Sequence, residues 1–435
     1  MKARKIVIFI WIVIALLAAG QPLMKHLDRQ RSIDTTEGLT AFEDALEIDS
    51  LAIDSLATDD PCHEPLIAWQ GRKLILDQLM AGADSTTVRV MHYGDSQIEE
   101  DRITCIIRRH LQERYGGGGV GLIPLHQTIP TQTLRQRLTM NEAVQTAAGG
   151  PTRYLVYGPK NMRRPDGNRY GPMGQVAIMD DSLTLGSETL SLQMTPISNA
   201  KHTERYFNRI HVFAEQDSII NVRDSSTQYI LALNGKHEIY GISLETKKGV
   251  IVDNIPMRGC SGYIFTQINR DQLVRFYRDT HTRLIILQYG GNMMPYLESG
   301  KGIDSYVSEL RRQVEYLKSC APEAAFLFIG PSDMLRMSEG EWTSYSRVPA
   351  LDSALSQMAR EAGIAYWSLY QAMGGEGSMK EWQAKGWAGS DGIHFSKQGA
   401  EHAGELLWTW MSEGQNPADP EQETTSEKQD EDLSI

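Results

Sequence analysis

Hydrophobic and polar positions follow two different rhythms along this chain. In one, short apolar runs closed by glycine hand over to stretches with apolar residues at three- and four-residue steps, the signature of strands alternating with helices. A helix is predicted through Trp69, Leu74, Ile75 and Leu79, then a strand over residues 86–93 stopped by Gly94. Ile98, Ile103, Ile106, Ile107 and Leu111 next mark one face of a helix. The rhythm returns at residue 249, with strands at 250–254, 284–288, 325–329 and 364–367 and helices at 304–319, 349–362 and 397–410. Glycine turns at Gly259 to Gly262, Gly290-Gly291 and Gly330-Pro331 punctuate this half. Such a pattern predicts a parallel sheet covered by helices on both faces, with its site at the carboxyl ends of the strands.

Residues 125–245 read differently. Runs at 170–179, 183–194, 209–213, 219–222 and 229–233 alternate apolar with polar and are separated by Gly, Asp, Asn and Ser. This predicts an inserted antiparallel β module. It holds no Trp, so any sugar it stacked would lie on Tyr or Phe, and a spacer or lid is an equal alternative. Ahead of it, five glycines between Gly116 and Gly121 invite a phosphate-loop reading. No Lys-Ser or Lys-Thr follows and no helix opens there, so a tight turn or a close backbone approach is the expectation.

Charge is concentrated at the ends. The net −12 of the 435 residues comprises +5 over residues 1–33, −9 over 34–60 and −7 over 413–435, which leaves −1 for 61–412. A near-neutral body excludes a large basic footprint for nucleic acid. Lys2, Arg4 and Lys5 precede an unbroken apolar run from Ile6 to Gly20, the pattern of an export signal. Residues 1–24 therefore read as a signal anchor, with a cleaved signal peptide as the alternative, and place the body on the periplasmic face of an inner membrane. Residues 25–64 read as an acidic linker and 413–435 as a solvating acidic tail. Cys62, Cys105, Cys260 and Cys320 fit no zinc spacing, and buried free thiols are expected at Cys105 and Cys320. No metal or cofactor motif occurs.

Ser96 follows the first strand, where a hydroxyl is presented at the sheet edge and backbone N–H groups face outward. Asp95 and Ser96 also suit a helix cap. A serine needs a base within hydrogen-bond reach. Among eleven histidines, His394 lies three residues after Asp391 in a glycine-containing turn, close enough for the carboxylate to accept from Nδ1 and leave Nε2 for the serine. The same pair also suits a turn residue and a satisfied loop histidine. The Ser96 and Gly262 N–H groups and the Asn292 amide could serve an oxyanion. Trp382 and Trp387 stand just before this turn, either to stack on a sugar or to pack in the core.

Taken in order, G-D-S at 94–96, the turn glycine at 262, G-G-N at 290–292 and D-G-I-H at 391–394 resemble the blocks of the SGNH (GDSL) hydrolases. The resemblance covers about 65–120 and 246–412 as two parts of one hydrolase domain around a module at 121–245. It implies a flavodoxin-like three-layer α/β sheet, Ser96 as nucleophile, His394 as base, Asp391 as orienting acid, and Ser96, Gly262 and Asn292 as oxyanion donors, with Gly259 competing for the second block. Two residues depart from the pattern: Gln97, where Leu or His is common and the change reads as neutral, and Met293, where an acid is common. A narrower similarity is to periplasmic peptidoglycan O-acetylesterases, on G-D-S-x-x-x-x-D, the glycine-rich continuation and the inserted module. It implies removal of acetyl groups from muramic acid, with a carbohydrate-binding sandwich as the insert. Polysaccharide O-acetyl transfer and a silent glycan-binding scaffold are the rival readings.

Overall fold

The computed structural model describes residues 72–125, 127, 129–139, 152–156, 170–179, 190–197, 202–222, 229–233, 237–299 and 302–413. The expected anchor and linker, the expected tail beyond Glu413, Trp69 and Cys62 lie outside them. Among the described residues no helix is long and apolar enough to cross a membrane.

The alternating half forms the expected three layers. After helix α1 (Arg72–Leu79), strand β1 (Thr87–Gly94) lies inside the sheet, second from one edge. Helix α2 (Thr104–Tyr115) follows, and the chain then departs through the antiparallel strands described below. It returns with β11 (Gly249–Pro256), α4 (Arg270–Asp279), β12 (Thr282–Gln288), α5 (Met294–Glu298), α6 (Ile303–Cys320), β13 (Ala325–Ile329), a hairpin of β14 (Leu335–Ser338) and β15 (Glu341–Ser344), α7 (Val348–Glu361), β16 (Ala365–Trp367), α8 (Leu369–Met373), α9 (Ser378–Ala384) and α10 (Lys397–Glu413). The sheet order is β11-β1-β12-β13-β16, all parallel, the flavodoxin-like arrangement.

Every residue of β1 is buried, because both faces are covered. Val88, Val90, Val250, Val252, Ile286 and Leu327 pack with Ile107, Leu111, Ala403 and Leu407 of the helices on one side. Helices α4, α6 and α7 contact one another as a separate group. Helix α4 follows the Gly259 to Gly262 turn; charged residues dominate Arg270–Asp279, but Leu273, Phe276 and Tyr277 keep helical spacing and Asn269 caps the start by accepting from Gln272 N–H at 3.1 Å.

The intervening strands are β2 (Gly121–Ile123), β3 (Leu134–Thr139), β4 (Thr152–Val156), β5 (Gln175–Met179), β6 (Leu190–Pro196), β7 (Arg209–Ala214), β8 (Ser218–Asn221), β9 (Tyr229–Leu233) and β10 (His237–Glu245), with a short helix α3 (His202–Arg205) before β7. Every pairing among them is antiparallel, in sheets ordered β4-β5-β10-β7-β8 and β3-β6-β9, with β2 also on β10. Strands β3, β4 and β10 were not marked by the alternation.

The glycine run has the close backbone approach expected of it. A Cβ on Gly119 would stand 2.1 Å from the Leu244 carbonyl oxygen, and one on Gly117 would stand 2.4 Å from that of Val250. No side chain fits there. The parallel and antiparallel sheets are also joined by a buried ionic cluster. Arg89 of β1 donates from Nη1 to both oxygens of Asp253 on β11 at 2.8 Å, and from Nη2 to Ser243 at 3.2 Å and to Glu245, both on β10. Arg209 of β7 reaches the other Glu245 oxygen at 2.7 Å. Two guanidinium groups thus balance two carboxylates, with Arg89, Asp253 and Glu245 closed to water and Arg209 at the edge of the cluster.

Candidate active site

Strand β1 ends at Gly94, and the next residues form a 3-10 turn, Ser96–Asp101, where the spacing predicts a continuous helix. Its backbone breaks at Glu99 and Glu100, so the α-helix starts only at Thr104. Asp95 caps this turn, accepting from Gln97 N–H at 2.9 Å. The cap reading therefore holds for Asp95, which leaves the Ser96 hydroxyl for another partner.

That partner is His394. Ser96 Oγ lies 2.8 Å from His394 Nε2, although the two residues are 298 positions apart. On the other side of the ring, Nδ1 stands 2.7 Å from Asp391 Oδ2. Asp391 Oδ1 accepts the backbone N–H groups of Ile393 and His394 at 2.9 and 3.0 Å. One carboxylate oxygen thus locks the turn and the other orients the imidazole. Partial burial would raise the Asp391 carboxyl, but the Nδ1–H and the two backbone donors hold it well below the usual carboxylate range. It therefore stays anionic at neutral pH and keeps the ring proton on Nδ1, so that Nε2 presents a lone pair to Ser96.

The three candidate oxyanion donors fare differently. Gly262 has φ +95°, and a Cβ there would stand 2.5 Å from Leu310, so both conformation and space require glycine. Gly259 also has a positive φ, of 73°, but faces open space. The Gly262 N–H lies 3.3 Å from the Cys260 thiol sulfur. Asn292, on the 3-10 turn Gly291–Met293, donates from Nδ2 to Asp95 Oδ2 at 3.0 Å and to the Cys260 carbonyl at 3.1 Å. All these residues gather at the ends of β1, β11 and β12, yet Cys260 engages both Gly262 and Asn292. Burial pushes the Asp95 carboxyl up to about 6, against the opposing influence of the Gln97 N–H and of His394 nearby.

Gln97, which the sequence reading took as neutral, and Arg102, which it passed over, hold the halves of the site together. Gln97 Nε2 donates to the Ile393 carbonyl at 2.6 Å, so the exchange for Leu or His there is not neutral in its contacts. Arg102 donates to three carbonyls: Nε to Glu99 at 3.0 Å, Nη2 to Ser96 at 3.0 Å and Nη1 to Phe395 at 2.7 Å. Both neighbours of His394 are thereby tied to the Ser96 turn. No local pattern in the sequence signals the bonds to Ile393 and Phe395, because each joins segments almost 300 residues apart.

The tryptophans belong to the core. Trp382 is 3% exposed and meets Trp387 edge to face at 5.6 Å. Trp387 is covered by His402 at 4.4 Å and by the Lys385 ammonium at 4.9 Å. Cys105, Cys260 and Cys320 are buried free thiols. Among the described residues, no group of three His, Cys, Asp or Glu side chains could hold a metal ion.

The profile of the GDSL-like lipase/acylhydrolase family matches residues 217–402, which takes in Asn292, Asp391 and His394; Ser96 lies ahead of it, across the antiparallel strands. A solved structure of a peptidoglycan O-acetylesterase is similar with a TM-score of 0.59 at 22% identity, covering 80% of this chain and 96% of that one. An acetyl xylan esterase (TM-score 0.27, 11% identity, 37% of this chain and 80% of that one) is more distant. So is the lipopolysaccharide acetyltransferase periplasmic domain of Salmonella ser. Paratyphi A (TM-score 0.26, 15% identity, 37% and 70%). No curated protein matches the sequence. The profile over residues 217–402 and the layered sheet make this chain similar to the GDSL-like lipase/acylhydrolase family and support an SGNH-type esterase.

Proposed function

We propose that this hydrolase is exported, tethered to the inner membrane through residues 6–24, and removes O-acetyl groups from an envelope glycan, peptidoglycan, through an acyl-enzyme. The observation that carries the chemistry is the hydrogen-bonded series Ser96 Oγ, His394 and Asp391, at 2.8 and 2.7 Å. Ser96 Oγ attacks the acetyl carbonyl carbon while its proton passes to His394 Nε2. The tetrahedral intermediate then expels the sugar oxygen, which takes that proton and leaves an acetyl-serine. Water, deprotonated by the same Nε2, attacks the acetyl carbon. Acetate departs, and the proton returns to Ser96. Asp391 stays ionised throughout and stabilises the imidazolium.

The oxyanion would take donors from the Ser96 N–H, the Gly262 N–H and the Asn292 amide. Since Cys260 engages the last two, substrate must exchange at least one of those bonds as it arrives. The peptidoglycan substrate is supported by the likeness of fold to the O-acetylesterase structure, which extends over 80% of the chain. The test is acetate release from O-acetylated peptidoglycan, with a small aryl acetate as control. The Ser96→Ala variant should lose at least about a thousandfold on both substrates. Turnover of the aryl ester alone would remove peptidoglycan from the proposal and keep the esterase. Undiminished release by the variant would remove Ser96 as nucleophile.

A further inference from the structure

A cleft of about 160 Å³ lies beside the Ser96 turn, between the parallel sheet and the antiparallel strands. Glu99 to Asp101 form one wall, and Asn254 to Arg258, at the carboxyl end of β11, form another. Leu122, Ile123, Ile129, Leu134 and Met173 provide an aliphatic lining from the antiparallel side. The cleft adjoins the Ser96 turn and the chain that leads into the Gly262 turn. Met257 N–H bonds the Gly94 carbonyl at 2.8 Å, two residues before Ser96, and Arg258 leads directly into the turn that carries Gly262.

Its lining suits one part of a glycan substrate better than another. Sugar rings are usually held on aromatic faces, and no Trp, Tyr, Phe or His is among the described residues of the lining. Aliphatic side chains instead fit small aliphatic groups such as alanyl methyls. At the rim the Arg258 side chain is 69% exposed, while its Nε and Nη2 are anchored on the buried Glu99 carboxylate at 2.7 and 2.5 Å. An anchored guanidinium has already lost its conformational freedom, which lowers the cost of meeting a carboxylate or a peptide carbonyl. Glu100, exposed beside it, supplies the opposite sign for an amine.

We propose that this cleft binds the short peptide arm carried by an acetylated muramyl sugar, and so selects glycan that still bears its stem peptide. The proposal rests on the peptidoglycan reading above. Its test compares acetate release by the full chain from O-acetylated glycan strands with stem peptides retained and from the same strands after amidase has removed them. The wild type is expected to show a kcat/KM ratio of at least about tenfold in favour of peptide-bearing strands, equivalent to about 1.4 kcal/mol of recognition. Ile129→Trp, which fills the half-buried aliphatic wall, and Arg258→Gln, which removes the guanidinium, should each bring the ratio towards one. Because the readout is a ratio within one variant, a general loss of activity does not imitate it. Equal rates in the wild type would overturn the proposal, as would a preference that survives both substitutions. Aryl acetate turnover reports the esterase reading separately, so either idea can fail alone.

Discussion

At the scale of single residues, the buried carboxyl of Asp95 couples the site to pH. Its pKa is raised to about 6 by burial, from a usual 3.8. Below about pH 4 the group is protonated in both folded and unfolded chains. Between the two values the folded form keeps a proton that the unfolded chain has released, so its contribution to stability is lost as pH rises through 6. Asp95→Asn cannot titrate, and should therefore gain stability relative to the wild type between pH 4 and 7, by on the order of 2–3 kcal/mol. Urea unfolding of both proteins at several pH values measures this. A constant difference across that window would mean that Asp95 ionises as a solvated carboxyl does.

The hydrogen-bonded series of Ser96, His394 and Asp391 was legible in the sequence because these residue types suit one another's protons and the turn spacing keeps two of them adjacent. Asn292 and Gly262 were legible as positions but not as contacts. That Cys260 accepts from both depends on how one turn is wound, and apolar patterning carries no record of that.

At the scale of elements, the Ser96 turn and the His394 turn are registered by Gln97 and Arg102. Three carbonyls need three donors in one plane, which guanidinium supplies and ammonium does not. Arg102→Lys should therefore lower kcat about ten- to a hundredfold with KM little altered, since small misplacements of reacting groups cost that much. Added guanidinium ion should restore part of the activity of Arg102→Ala. If thermal stability falls while kcat per folded molecule holds, Arg102 is a strut for the fold alone. Parallel strands announced themselves as apolar runs, being buried on both faces. Strands β3 and β10 did not, because Leu134–Thr139 carries Arg and Gln and His237–Glu245 mixes polar residues with its buried ones.

At the scale of the whole molecule, the Arg89 cluster makes the antiparallel strands part of the hydrolase architecture. Arg89→Met would strand Asp253 and Glu245 without a shared cation, at a cost of about 3–5 kcal/mol. Equilibrium unfolding in urea checks this, and a loss below about 1 kcal/mol would show that the carboxylates find other partners or simply protonate.

The 298 residues between Ser96 and His394 also have a consequence in time. A ribosome adds roughly 5–20 residues per second, so Ser96 is made roughly 15–60 s before His394. Strand β1 likewise waits for both of its neighbours, β11 and β12, which lie beyond the whole antiparallel insertion. On the proposed mechanism, a growing chain is therefore silent towards esters until His394 arrives. On that reading the long insertion acts as a delay line between the two ends of the hydrogen-bonded series.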